Sequence, residues 1–187
     1  MTTMHVELEP QPVEVPNYLK KLRIGVMCSG NGTNFENIVR SCRQDEVVLM
    51  VYNKKHCGAK KRANKLGIPN CHVKHCDEDD IIKLFNAYNV DLIVLAGWMK
   101  IVSPKLIEAF PNRLINLHPS LLPKYKGLHA IERALNSNDT VTGVSVHYVN
   151  EELDGGEIIF QEEVPILPDD DIDLSLIHIS EPTRQAS

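Results

Sequence analysis

The run from Leu22 to Cys28 is dominated by apolar residues and ends in a glycine-rich turn, Gly30-Asn31-Gly32-Thr33-Asn34. Phe35, Ile38, Val39 and Cys42 then recur at helical spacing over Asn34 to Cys42. A strand that turns directly into an amphipathic helix must be covered by that helix, and repetition of such a unit builds a parallel sheet with helices on its faces. The unit does repeat. Val47 to Tyr52 reads as a second strand, and Ala59 to Leu66 as a helix stopped by Gly67 and Pro69. Cys71 to Lys74 is briefly extended, and Asp79 to Tyr88 reads as a helix with Asp79 and Asp80 near its N-terminus, where negative charge is favoured. Asp91 to Ala96 is the most apolar strand. Ser103 to Phe110 follows as a helix with Ser103 as N-cap and Pro104 at the first helical position.

Leu114 to Leu117 is the next strand and Ala130 to Leu135 part of another helix. Val141 to Val149 alternates as a half-exposed strand does, and Glu157 to Val164 is its expected hairpin partner. The fold class is therefore α/β: an open, mostly parallel twisted sheet flanked by helices, with an antiparallel or mixed edge. In such sheets functional loops lie outside the carboxyl ends of the strands.

With 187 residues the chain fits one domain, and 43% hydrophobic content supplies a core. A net charge of −5 argues against non-specific nucleic-acid binding. Lys54, Lys55, Lys60, Lys61, Arg62 and Lys65 cluster locally, as a solvated face or as a rim that steers an anionic substrate. No apolar run reaches transmembrane length, so no membrane partner is expected. Cysteines at 28, 42, 57, 71 and 76 form no disulfide framework, which points to reduced thiols and a cytoplasmic setting, with an organelle left open. These cysteines and His56, His72 and His75 contain no Cys-x2-Cys pair, and no metal is expected.

Three segments carry chemistry. Gly32, Thr33 and Asn34 sit where backbone amides at a helix start can converge on a single phosphate, although a merely tight turn has the same appearance. The loop lacks the Gly-Lys-Ser/Thr of a triphosphate site. Asn116 and His118 lie two apart and emerge on one side of a strand, so an amide and an imidazole can stabilise an oxyanion and move a proton; a structural histidine is the alternative. Asp154, in Leu153-Asp154-Gly155-Gly156, is either a turn residue or a carboxylate folded over that histidine to favour its charged form.

Together with Leu95-Ala96-Gly97-Trp98-Met99, the run Asn116 to Tyr125 and Thr142 to His147, these segments resemble the phosphoribosylglycinamide formyltransferase family, in order, over about residues 22 to 173. The resemblance implies a Rossmann-like formyltransferase fold and transfer of formyl from 10-formyltetrahydrofolate to the amine of 5'-phosphoribosylglycinamide. It implies Asn116, His118 and Asp154 as the catalytic trio and Gly32, Thr33 and Asn34 as the phosphate loop. Met99, Lys100, Ile101 and Val102 match the folate wall, and Asn150, Glu151 and Asp154 the loop closing over the pteridine. Partners are then small molecules, with the chain a monomer or weak homodimer.

Residues 1–21, acidic and proline-bearing, are expected to be a flexible extension, and by the resemblance 22–173 are the formyltransferase domain without its final helix. Residues 174–187, whose periodicity is mixed before Pro182, are expected to be a non-native tail. Lys126 stands where some relatives carry proline. Formyltetrahydrofolate hydrolase and methionyl-tRNA formyltransferase share the Asn-x-His and Asp pattern without the Gly-Asn-Gly-Thr-Asn turn, and a non-catalytic phosphosugar-binding protein is the alternative of a different class.

Overall fold

The computed structural model describes residues 20–171. The segments read as N-terminal extension and foreign tail lie outside the described residues, apart from Lys20 and Lys21. The elements run β1 (Arg23–Cys28), α1 (Thr33–Ser41), β2 (Glu46–Tyr52), α2 (Gly58–Leu66), β3 (Asn70–His72), α3 (Glu78–Ala87), β4 (Leu92–Leu95), α4 (Pro104–Ala109), β5 (Leu114–His118), α5 (Ala130–Leu135), β6 (Val141–Tyr148) and β7 (Ile158–Pro165). A single 3₁₀ turn, Lys74–Cys76, lies between β3 and α3.

The seven strands form one sheet in the order β3-β2-β1-β4-β5-β6-β7. β3 through β5 pair in parallel, whereas β6 is antiparallel to β5 and β7 antiparallel to β6. This is the mixed-edge sheet that the pattern implied. The order reverses between β1 and β4, the place where open α/β sheets leave a crevice beyond their strand ends.

Period-two alternation sorts the central strands between two cores. Ile24, Val26 and Cys28 of β1 and Val94 of β4 pack with Phe35 of α1 and with Ala59 and Ala63 of α2. Met27, Ile93 and Leu95 point the other way, against Ile81 and Phe85 of α3 and Leu106 of α4. Gly25 also faces α3: a Cβ there would come within 2.5 Å of the Phe85 ring. Phe85 fills that socket and meets Phe110 edge-on with ring centroids 6.2 Å apart.

Two helix starts differ from their reading. Asp77 is the side-chain cap of α3, accepting from the amides of Asp79 and Asp80. Ser103 occupies the N-cap position of α4 without capping it. Instead its hydroxyl donates to Glu78, whose other carboxylate oxygen accepts from the Ser103 amide at 2.9 Å. The contact joins α3 to α4 and holds the end of the loop that follows β4.

β6 alternates as expected, and the structure shows which face is inside. Gly143, Ser145 and His147 are buried, while Val144 and Val146 are only partly so. The buried face is therefore the polar one. Edge strand β7 is exposed over most of its length, and its inward Val164 packs on Ile131 of α5.

Because Phe85 is fully buried between two elements, Phe85→Ala should lower the unfolding free energy by about 3–5 kcal/mol. Urea denaturation would show this as a lower midpoint with an unchanged slope.

Candidate active site

A cleft of about 460 Å³ opens beyond the carboxyl ends of β4 and β5, a size suited to a small organic ligand. Its walls include Met99 to Val102 from the loop after β4, Asn116 and His118 from β5, and Asn150 to Asp154 from the loop between β6 and β7. Every residue expected to touch a folate thus lines one cavity. Ile101 is 78% exposed and Met99 57%, so an apolar wall stands open to a ligand.

The expected trio meets at the floor. β5 projects Asn116 and His118 on one side, and both reach Asp154: Asn116 Nδ2 donates to Asp154 Oδ1 at 3.3 Å, and His118 Nδ1 lies 3.4 Å from Asp154 Oδ2. His118 Nε2 donates to the Tyr125 carbonyl at 2.8 Å. Both ring nitrogens therefore lie beside oxygens: Nε2 is hydrogen-bonded to a carbonyl, and Nδ1 stands within ion-pair distance of the carboxylate.

Asp154 reaches this position through a left-handed backbone (φ 50°), a conformation that aspartate tolerates better than most residues. The Gly127 amide donates to its Oδ2 at 2.7 Å. Burial pushes the Asp154 carboxyl up. Hydrogen bonding to His147, the Gly127 amide and the charge on His118 together outweigh burial and hold it below its ordinary value of 3.8.

His147 was not singled out as a site residue. It is 2% exposed, with Nε2 3.1 Å from Asn116 Nδ2 and 3.6 Å from Asp154 Oδ1, while Nδ1 donates to the Tyr148 carbonyl at 2.8 Å. Neutral, it accepts from Asn116; protonated, it donates to Asp154. The contact follows from the direct pairing of Asn116 with His147 across β5 and β6. The histidine within an alternating strand was the available signal, but only the register gives it a partner.

Gly32, Thr33 and Asn34 lie outside the cleft lining. Their turn adjoins it: a Cβ on Gly30 would lie 3.8 Å from Met99 Cε, and Ser29 Oγ accepts from the Met99 amide at 2.9 Å. Gly32 is left-handed (φ 80°), and a Cβ there would meet Ala59 Cα of α2 at 2.6 Å. The N-terminus of α1 has no side-chain cap, which leaves its first amides available to an anion. Arg62 ties the turn in place, donating to the Asn31 carbonyl at 2.9 Å and pairing with Glu36. Lys54 reaches the Met99 sulfur at 3.4 Å, and Lys55, Lys60, Lys61 and Lys65 are exposed.

Glu152 of the cleft lining pairs with Lys126 of the loop after β5 at 2.9 Å. Asn150 Oδ1 accepts from the Glu152 amide and shapes the loop before Asp154. All five cysteines are free thiols, and burial, reinforced by Cys57, pushes the Cys28 thiol far up, which makes it a poor nucleophile. Among the described residues no group of three or more His, Cys, Asp and Glu side chains is arranged to hold a metal, and no helix is long and apolar enough to cross a membrane.

An amide, an imidazole and a buried carboxylate gathered at the strand ends of a doubly wound sheet are parts that a group-transfer site can use. The chain belongs to the formyl transferase family, whose model matches residues 22–181. It is 40% identical to the phosphoribosylglycinamide formyltransferase of Haemophilus influenzae over 162 residues, which is 81% of this chain and 76% of that protein. The trifunctional purine biosynthetic protein adenosine-3 of Drosophila melanogaster is 38% identical over 82% of this chain and 12% of its own length. Among solved structures, glycinamide ribonucleotide transformylase 1 from Symbiobacterium toebii superposes with a TM-score of 0.82 at 34% identity, covering 88% of this chain and 83% of that one.

The depressed Asp154 pKa has a consequence for stability. Its contribution is complete above about pH 4 and is lost as pH falls through the folded-state value. The gap in unfolding free energy between the parent and Asp154→Asn should therefore narrow below about pH 4, as measured by urea titrations across acid pH. Separately, Gly32→Val places a branched side chain against α2 in a left-handed turn. On the reading of this turn as a phosphate site, it should weaken phosphoribosylglycinamide binding far more than folate binding in calorimetry.

Proposed function

We propose that this chain transfers the formyl group of 10-formyltetrahydrofolate to the amine of 5'-phosphoribosylglycinamide, a step of purine biosynthesis. In this reading residues 22–173 are the formyltransferase domain. Membership of the formyl transferase family and the names of its relatives support the reaction, and the His118–Asp154–Asn116 cluster at the floor of an apolar cleft is the observation that carries it.

The cleft fits a flat heteroaromatic donor: its rim is apolar at Met99, Ile101 and Leu153, and backbone and side-chain polar groups lie deeper. Met99, Lys100, Ile101 and Val102 would form one wall for the folate, and Asn150, Glu151 and Asp154 the opposing loop. The folate would supply the formyl carbon. Gly32, Thr33 and Asn34 would hold the substrate phosphate at the neighbouring turn, which brings the amine toward the cleft from the β1 side.

As the amine adds to the formyl carbon, the carbonyl π pair moves onto oxygen. Asn116 Nδ2 already carries a donor to Asp154 at 3.3 Å, a long contact that a developing oxyanion can draw away. His118, fixed between the Tyr125 carbonyl and Asp154, would in its protonated form add positive potential beside that oxygen. A proton must leave the attacking nitrogen and reach the departing one as the old carbon–nitrogen bond breaks. Asp154, acting through water, is the proposed relay. Both substrates are small molecules, and five free thiols support a reducing, cytoplasmic setting.

Asp154→Asn should retain phosphosugar binding but lower kcat by at least ~10²-fold, because the carboxylate's work is done in the transition state. Steady-state formyl transfer beside calorimetry checks it. Turnover within threefold of the parent would remove Asp154 from the mechanism.

A further inference from the structure

Outside the cleft lining, a second group of side chains grips the loop that follows β5. The Tyr125 hydroxyl donates to Asp139 Oδ2 at 2.6 Å. Lys124 Nζ reaches both Asp139 oxygens, at 3.0 and 3.1 Å. The Arg133 guanidinium of α5 lies 5.5 Å from the centre of the Tyr125 ring and donates to the carbonyls of Lys126 (2.7 Å) and Leu128 (3.2 Å). Asp139 is itself fixed, since its amide donates to Ser137 Oγ, whose hydroxyl donates to the Ala134 carbonyl at the end of α5.

What this grip controls is backbone. Tyr125 is left-handed (φ 56°), a conformation that a bulky residue rarely adopts unless its surroundings hold it there. That twist aims its carbonyl at His118 Nε2, and two residues on the Gly127 amide meets Asp154 Oδ2. The loop thus touches both members of the His118–Asp154 pair, one through a carbonyl and one through an amide. Tyr125, Arg133 and Asp139 do not line the cleft.

We propose that Asp139, the Tyr125 hydroxyl and Arg133 are positioning residues that set the His118–Asp154 pair through the backbone of Tyr125 to Gly127. The inference rests on the catalytic reading of that pair. Freed of the clamp, the Tyr125 peptide relaxes from its left-handed twist, the His118 ring loses its fixed acceptor, and the pair drifts from the geometry in which its charge faces the oxyanion. Misplacement of this kind costs turnover and not ground-state affinity.

Tyr125→Phe removes only the hydroxyl, Asp139→Asn removes the charge at nearly constant shape, and Lys124→Ala removes an ion pair whose lysine is 62% exposed. In Tyr125→Phe and Asp139→Asn, kcat for formyl transfer should fall about tenfold while KM for both substrates stays within about twofold. Lys124→Ala should leave all three constants within about twofold of the parent. The His118 imidazole ¹⁵N resonances should move in the first two variants and stay in the third. A His118 signal in Tyr125→Phe and Asp139→Asn that coincides with the parent's overturns the clamp, whatever happens to thermal stability. If the parent showed no formyl transfer, the functional reading would fail, and the His118 resonances would still decide the positioning role.

Discussion

The antiparallel pairing of β6 with β5 is the constraint on which the site depends. It sets Asn116 directly opposite His147 and brings the β6–β7 loop back over the end of β5, where Asp154 arrives. Slippage by one residue would turn His147 to the other face and leave Asn116 opposite a valine or a tyrosine. The parallel part of the sheet supplies a rigid floor. The reversed strand β6 supplies the third side of the cluster.

A buried carboxylate at the centre of such a cluster is unfavourable unless its oxygens are occupied. Asp154 is buried, and it is occupied from three directions: the Gly127 amide, the Asn116 amide and the two imidazoles. These partners come from β5, β6 and the loop after β5, so no local segment holds the carboxylate alone. The arrangement also ties the loop after β5 to the loop between β6 and β7. Lys126 and Glu152 add an exposed bridge between the same two loops, a contact of little energy beside the buried ones.

The two proposed ligand regions share one seam. The turn after β1 and the loop after β4 are stitched together by the Ser29 amide on the Gly97 carbonyl and by the Met99 amide on Ser29 Oγ. An anion on the first and a flat donor against the second would therefore be held by adjoining parts of one rigid edge. Glu78, gripping Ser103 at the far end of the β4 loop, extends that rigidity to the apolar wall.

Much of this was legible in the chain itself. Apolar runs located the central parallel strands, because a strand buried on both faces must be apolar throughout, and alternation located β6; the two-residue spacing of Asn116 and His118 put them on one side of β5. Helix caps were less legible: Ser103 sits at the right position, but Glu78, distant in sequence, claims its hydroxyl. His147, the Tyr125 carbonyl and the Gly127 amide were not legible at all. Their roles come from strand register and from a left-handed loop clamped by Asp139 and Arg133, long-range pairings that no local periodicity encodes. The sequence by itself determined the layered sheet and the residue types available for chemistry. Only the tertiary structure decided which of them face one another, because hydrogen bonds between side chains far apart in the chain exist only once the sheet is in register.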